Sequence, residues 1–126
     1  MTNTSKSPYF LLTEKWQRVA ALSDAIAMLS WDRQAIMPSG SGAARAEQIA
    51  ILSVLKHEEI TDPLTLELID KADMAELDDI EQKNFFEIRR IYRHAAALSP
   101  NLVEEHSRAC AACEGQRQLA RKENNF

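Results

Sequence analysis

Three pairs of a capping residue followed by proline constrain the fold of this chain more than any other feature. Ser7-Pro8, Asp62-Pro63 and Ser99-Pro100 each place a side-chain oxygen directly before a proline. Such an oxygen caps a helix by accepting a backbone N–H, and proline is tolerated in the first turn because its missing N–H would have no partner there. Each pair therefore predicts the start of a helix.

The residues after Pro8 show the apolar spacing of a long amphipathic helix. Its apolar stripe consists of Leu12, Val19, Leu22, Ile26 and Leu29. We expect this helix to end near residues 33–35, before a turn that contains Pro38, Gly40 and Gly42. A second helix is expected over residues 43–57.

Similar signals predict three further helices. The third begins at Pro63 and ends near Lys71, and Asp78 with Glu81 forms a capping-box pattern that starts the fourth. The fifth follows Pro100, and its inward stripe is Val103, His106, Cys110, Cys113 and Ala120. Because no segment alternates like a strand, we predict an all-α antiparallel bundle of about five helices. Residues 8–126 form a single domain in this prediction, after a disordered segment at residues 1–7.

Composition narrows the class of protein. The chain has 126 residues, 45% of them hydrophobic and 27% charged, which suits a folded domain with one core. Its net charge of −4 provides no positive field for a phosphate backbone, so nucleic acid is not an expected partner. We also expect no membrane anchor and no secretory signal. Two cysteines are too few for a secreted disulfide scaffold, so a cytoplasmic location is expected.

Charge is distributed unevenly along the chain. Residues 58–81 carry many acidic side chains and only one basic one, Lys71, whereas arginines accumulate on the fourth and fifth predicted helices. Solvated helix faces that pair with one another account for this pattern. The alternative is a docking surface for a further part of the chain.

Two short motifs resemble reactive sites but lack essential partners. His57-Glu58 begins like the zinc motif H-E-x-x-H, but Thr61 occupies the second histidine position. We interpret His57 as a residue at the C-terminal end of its helix, near the last free carbonyls. Cys110 and Cys113 have the spacing of a redox motif, and small buried apolar side chains are the favoured interpretation over a thiol or metal role. No catalytic residue and no metal ligand is predicted.

The order of several short segments resembles one enzyme family. These segments are LSWDRQAIMP (29–38), AARAEQ (43–48), LKHEEITDP (55–63), RRIYR (89–93), LSPNLV (98–103) and ARKENNF (120–126). Together they resemble the N-terminal region of Taq-type carboxypeptidases, peptidase family M32. Arg33 and Gln34 shift the usual Trp-Asp-Gln pattern by one position, and Gln116 and Arg117 replace a common tryptophan. The resemblance runs from about Tyr9 to Phe126.

The resemblance implies that this chain is the N-terminal segment of a longer, mainly helical zincin-like enzyme. Members of the family are zinc-dependent carboxypeptidases that remove C-terminal amino acids from peptides. Zinc, or another divalent metal in the full-length parent, is held by an H-E-x-x-H motif and a downstream glutamate, none of which lies in this chain. The implied role of the segment is therefore a wall or lid of the substrate groove, inactive by itself. Implied partners are the remainder of the chain, a peptide substrate in the full-length enzyme, and a second copy in a homodimer.

A free-standing helical module for interaction or dimerisation is the alternative function. Under either function, the residues singled out are Trp31, Asp32, Met37, Pro38 and Arg45. Trp31 either closes the core of the first helix or lines a groove. Asp32 and Arg45 are expected to form a bidentate ion pair across the turn, which would fix the first two helices.

Overall fold

A computed structural model describes residues 6–125, which are mainly α-helical. The helices are α1 (Pro8–Ala35), α2 (Gly42–Thr61), α3 (Pro63–Lys71), α4 (Asp79–Ala96) and α5 (Pro100–Lys122), with a 3-10 helix at Met74–Glu76. Since residues 6–125 contain no strand, the predicted all-α class is confirmed. The antiparallel arrangement and the division into domains stay predictions. Residues 1–5 of the segment predicted to be disordered lie outside the described residues.

The predicted helix starts correspond to capping hydrogen bonds. At Ser7, Asp62 and Ser99, a side-chain oxygen accepts a backbone N–H from the first turn of the following helix. Asp78 and Glu81 form a complete capping box: Asp78 Oδ1 accepts the Glu81 N–H at 2.9 Å, and Glu81 Oε2 accepts the Asp78 N–H at 3.0 Å. These bonds satisfy donors that have no partner within their own helix.

The main apolar core lies between α1, α3 and α4. Its buried residues are Tyr9, Leu12, Leu68, Ile69, Phe85 and Ile88. Tyr9 and Phe85 meet edge to face, with ring centroids 6.5 Å apart and ring planes at 73°. Because Leu12 is fully buried at the centre, this cluster fixes the N-terminal half of α1 against the other two helices.

Helix α2 occupies the middle of the fold and packs against each of the other four helices. It extends to Thr61, four residues beyond the predicted end at His57. His57 is buried, and its Nε2 atom lies 2.8 Å from the carbonyl oxygen of Ala95 at the end of α4. The predicted position of His57 at the end of its own helix is therefore wrong. Pro63 disfavours a helical backbone conformation at Asp62, the residue before it, so α2 ends at Thr61.

An ion-pair network joins α1 to the junction of α2 and α3. Lys15 Nζ lies 3.2 Å from Glu59 Oε1 and 2.9 Å from Asp62 Oδ2. Burial lowers the pKa of Lys15, but the hydrogen bonds to Asp62 and Glu59 outweigh it, so the net pKa is raised. The pKa of Asp62 is lowered, first by the hydrogen bond from the Leu64 N–H and then by the one from Lys15. The network therefore favours the charged form of both groups.

Helix α5 and Trp31 differ from the predictions. None of the α5 residues is buried, and Cys110 and Cys113 are exposed, so the predicted burial of the α5 stripe is wrong for this chain. Trp31 is 57% exposed, which rules out the role of closing the core of α1; Trp16 packs against the core cluster instead. No described helix combines the length and apolarity that a bilayer crossing requires.

Candidate functional site

The turn between α1 and α2 is held by the predicted ion pair. Arg45 Nη2 contacts Asp32 Oδ2, and both side chains are largely buried. The other terminal nitrogen, Nη1, donates to Gln48 Oε1 at 2.8 Å, so the pair has one contact and the predicted bidentate geometry is wrong. The Asp32 backbone carbonyl also accepts the Met37 N–H at 2.9 Å. Asp32 thus participates both in the end of α1 and in the link to α2.

The other residues predicted for the site surround the same turn. The Pro38 carbonyl accepts the Ser41 N–H at 3.2 Å, and Gly40 has a φ of +99°, a region that favours glycine. The Met37 side chain lies beside Gly42, at the start of α2. Trp31 projects from α1 into solvent. The structure therefore brings Asp32, Met37, Pro38 and Arg45 together, whereas Trp31 stands apart.

A groove of about 510 Å³ lies between α1, α2 and α5. Its apolar walls are formed by Ile49 of α2, by Leu98 just before α5, and by Leu102 and Val103 of α5. Arg33 of α1 and His106 of α5 also line it. We name this feature the α1–α2–α5 groove.

Arg33 is a residue of this groove that the sequence-based prediction did not select. Its Nε atom is shielded from solvent and has no hydrogen-bond partner within residues 6–125. A buried donor without a partner is rare in folded proteins. In the sequence, Arg33 is noted only because, with Gln34, it shifts the Trp-Asp-Gln pattern of the family that the chain resembles.

A second groove, of about 370 Å³, lies nearby between α2 and α5. Small residues such as Ala43, Ala46, Ala111 and Gly115 form much of it, and Met37 lines it as well. At this helix pair, Arg108 Nη1 contacts Glu47 Oε2 and Arg108 Nη2 lies 2.9 Å from Glu104 Oε1. The hydrogen bond from Arg108 lowers the pKa of Glu47.

The described residues do not fit a catalytic metal. Within residues 6–125, no group of three or more His, Cys, Asp or Glu side chains is arranged to hold a metal ion. His106 and Cys110 are neighbours on α5, with 3.6 Å between Nε2 and Sγ, but both are exposed. A zinc site needs three or four converging ligands, so we assign no metal chemistry to this part of the chain.

Sequence comparisons identify related proteins. The family model described as carboxypeptidase Taq (M32) metallopeptidase matches residues 11–126. A thermostable carboxypeptidase 1 from Thermus thermophilus is 28% identical over 98% of this chain and 25% of its own length. A thermostable carboxypeptidase 1 from Pyrococcus furiosus is 28% identical over 89% of this chain and 23% of its own length.

The comparison with solved structures found no match. The chain spans about a quarter of the length of the curated relatives it matches. The family model nevertheless covers nearly all of this chain, including the α1–α2 turn, both grooves and α5. The chain therefore belongs to the carboxypeptidase Taq (M32) family of metallopeptidases.

Proposed function

We propose that this chain is the N-terminal helical part of a zinc-dependent metallocarboxypeptidase that removes C-terminal amino acids from peptides. In this proposal the segment forms a wall or lid of the substrate groove and has no hydrolytic activity by itself. The rest of the enzyme supplies the zinc ligands and the residue that activates water. A metal ion bound there would polarise the scissile carbonyl and acidify the attacking water.

One observation carries the proposal: the family model matches residues 11–126, while the chain spans only about a quarter of the related carboxypeptidases. The fold supports a structural role for this quarter. Caps, ion pairs and the α1–α3–α4 core order the helices, yet no metal-ligand group is formed within the described residues. The Asp32–Arg45 pair would then act as a structural link that positions the groove wall.

The proposal also includes a cytoplasmic location and a homodimeric enzyme. Two free cysteines support a reducing compartment. The exposed apolar side chains of Leu98, Leu102 and Leu119 support contact with further protein. The same exposed surface supports the second candidate function, a helical interaction or dimerisation module without catalysis.

A chimera tests the proposed function. In it, this chain replaces the matched quarter of the Thermus thermophilus thermostable carboxypeptidase 1. We expect the zinc-loaded chimera to release C-terminal amino acids from a peptide, and the 126-residue chain alone to release none. A matched control is the relative with the same quarter deleted, which should be inactive.

Two outcomes would contradict the proposal. One is peptide hydrolysis that copurifies with the isolated chain. The other is a folded, zinc-loaded chimera that releases no amino acid, while the relative itself does so under the same conditions. The second outcome would favour the interaction module.

A further inference from the structure

The α1–α2–α5 groove has the features of an interface that lacks its second side. Leu98, in the loop before α5, and Leu102 of α5 are 45% and 49% exposed along its edge, and neighbouring exposed apolar side chains mark contact sites. Helix α5 packs on α2 but contains no buried residue. One further element lying in the groove would cover these side chains.

Arg33 indicates the charge of that element. Arg33 lines this groove and the neighbouring one, its Nε donor has no hydrogen-bond partner, and it forms none of the ion pairs found within residues 6–125. The remaining groove walls are mainly apolar. A carboxylate entering the groove would match the positive charge and could accept a hydrogen bond from Arg33.

The shape of the groove favours a helix over a small molecule. Small-molecule sites usually enclose most of the surface of their ligand. This groove is open, and it runs beside α5 with Leu102, His106 and Cys110 at helical spacing along one side. Helices pack side by side by inserting rows of side chains into such depressions.

We propose that the α1–α2–α5 groove receives an α-helix from the remainder of the carboxypeptidase chain. This helix presents large apolar side chains to Leu98 and Leu102 and an aspartate or glutamate to Arg33. The inference rests on the proposed function, because the related carboxypeptidases have about three quarters of their length outside the segment matched here. The groove is thus an internal interface of the full-length protein.

Peptide binding to the intact 126-residue chain tests this inference. The probes are fluorescent peptides of about 20 residues, or roughly five helical turns, that overlap along the unmatched part of the Thermus thermophilus relative. We expect binding by a peptide with apolar residues three or four apart and one acidic residue beside them. Replacing that acidic residue by its amide should weaken binding about fivefold or more.

Variants of this chain locate the binding site. Leu102→Asp should weaken binding at least about tenfold, and Arg33→Met about fivefold. Ile80→Asp is the matched control, since Ile80 is 70% exposed at the start of α4, and it should change Kd less than about twofold. Circular dichroism of each variant verifies that the helices are retained. If Arg33→Met unfolds the chain, the amide-substituted peptide tests the same charge contact.

Alkylation by iodoacetamide provides a second readout within the same chain. Cys110 lines the groove, whereas Cys113 is exposed elsewhere on α5. Bound peptide should slow the alkylation of Cys110 and leave Cys113 unchanged. Absence of binding by every peptide, insensitivity to Leu102→Asp, or equal protection of both cysteines would overturn the inference. A dimer of this chain that Leu102→Asp dissociates would also overturn it, by assigning the groove to a second copy.

The outcome of the peptide-binding experiment can be distinguished from the outcome of the chimera experiment. An active chimera without groove-specific peptide binding would refute only the helix in the groove. An inactive chimera with groove-specific binding would refute only the proposed carboxypeptidase function.

Discussion

At the scale of single residues, the link between Asp32 and Arg45 gives the sharpest stability prediction. Both side chains are mostly buried, so removing either one leaves a partly desolvated charge. We expect Asp32→Asn and Arg45→Met each to lower the free energy of unfolding by about 1–2 kcal/mol. The double variant should cost clearly less than the sum. Chemical denaturation of the four proteins in a double-mutant cycle measures this coupling.

An exposed pair on α4 provides the control for that cycle. Arg90 and Glu87 are both about half exposed, so their coupling should be only a few tenths of a kcal/mol. Additive effects of Asp32→Asn and Arg45→Met would show that the two residues are not coupled. The contact between Asp32 and Arg45 would then not be what fixes the α1–α2 turn.

The lowered pKa of Asp62 predicts that the stability of the folded chain depends on pH. Its pKa is lowered in the folded chain by the Leu64 N–H and by Lys15, so the folded state binds fewer protons than the unfolded state near that pKa. Its contribution is therefore fully present above the ordinary aspartate pKa of 3.8 and is lost as the pH falls through the folded value. Asp62→Asn keeps a side-chain cap but removes this charge.

The expected result is a stability difference between wild type and Asp62→Asn that is present near pH 6 and shrinks below about pH 4. Thermal unfolding over that range measures it. Asp70→Asn is the control, because Asp70 is an exposed acidic residue of the neighbouring helix α3. A difference that is constant with pH would contradict the assigned role of Asp62.

At the scale of helices, the capping box of α4 should contribute measurably to stability. Asp78→Ala removes the acceptor for two N–H groups, those of Ile80 and Glu81, and should lower the free energy of unfolding by about 1 kcal/mol. Asp79→Ala, one residue later, changes the charge of the same turn without removing the cap. Equal effects of the two variants would show that helix-end charge, rather than capping, stabilises α4.

Helix starts were predictable from sequence because capping is local. The oxygen of Ser99 and the N–H it accepts are three residues apart, so the pattern alone contains the interaction. The burial of α5 was predicted wrongly, because an apolar stripe indicates that a helix face is suited to packing without identifying what covers it. His57 was misplaced for a related reason, since its partner Ala95 is distant in sequence.

The candidate site was predictable only in part. The spacing across the Pro38–Gly42 turn brought Asp32 and Arg45 into reach, but it contained no information on Gln48 as a competing acceptor, which leaves a single contact. Arg33 has no local motif. Its significance comes from a donor with no partner in a groove built by three helices, which only the tertiary structure reveals.

At the scale of the whole molecule, the exposed apolar surface predicts association. Outside the α1–α2–α5 groove, the side chains of Ile51, Leu64 and Leu119 are each about half exposed. We expect the isolated chain to bind a hydrophobic dye and to self-associate at high concentration, as measured by light scattering. A strict monomer that binds no dye would contradict the view that this surface is covered in a larger protein.

The central claim is that this chain supplies structure to a metallocarboxypeptidase while the metal site lies elsewhere in the enzyme. Zinc content measures it most directly. After loading with zinc, mild chelation and exchange into zinc-free buffer, elemental analysis should find essentially no zinc in the 126-residue chain and about one ion per molecule in the chimera. Stoichiometric zinc retained by the isolated chain would contradict the account.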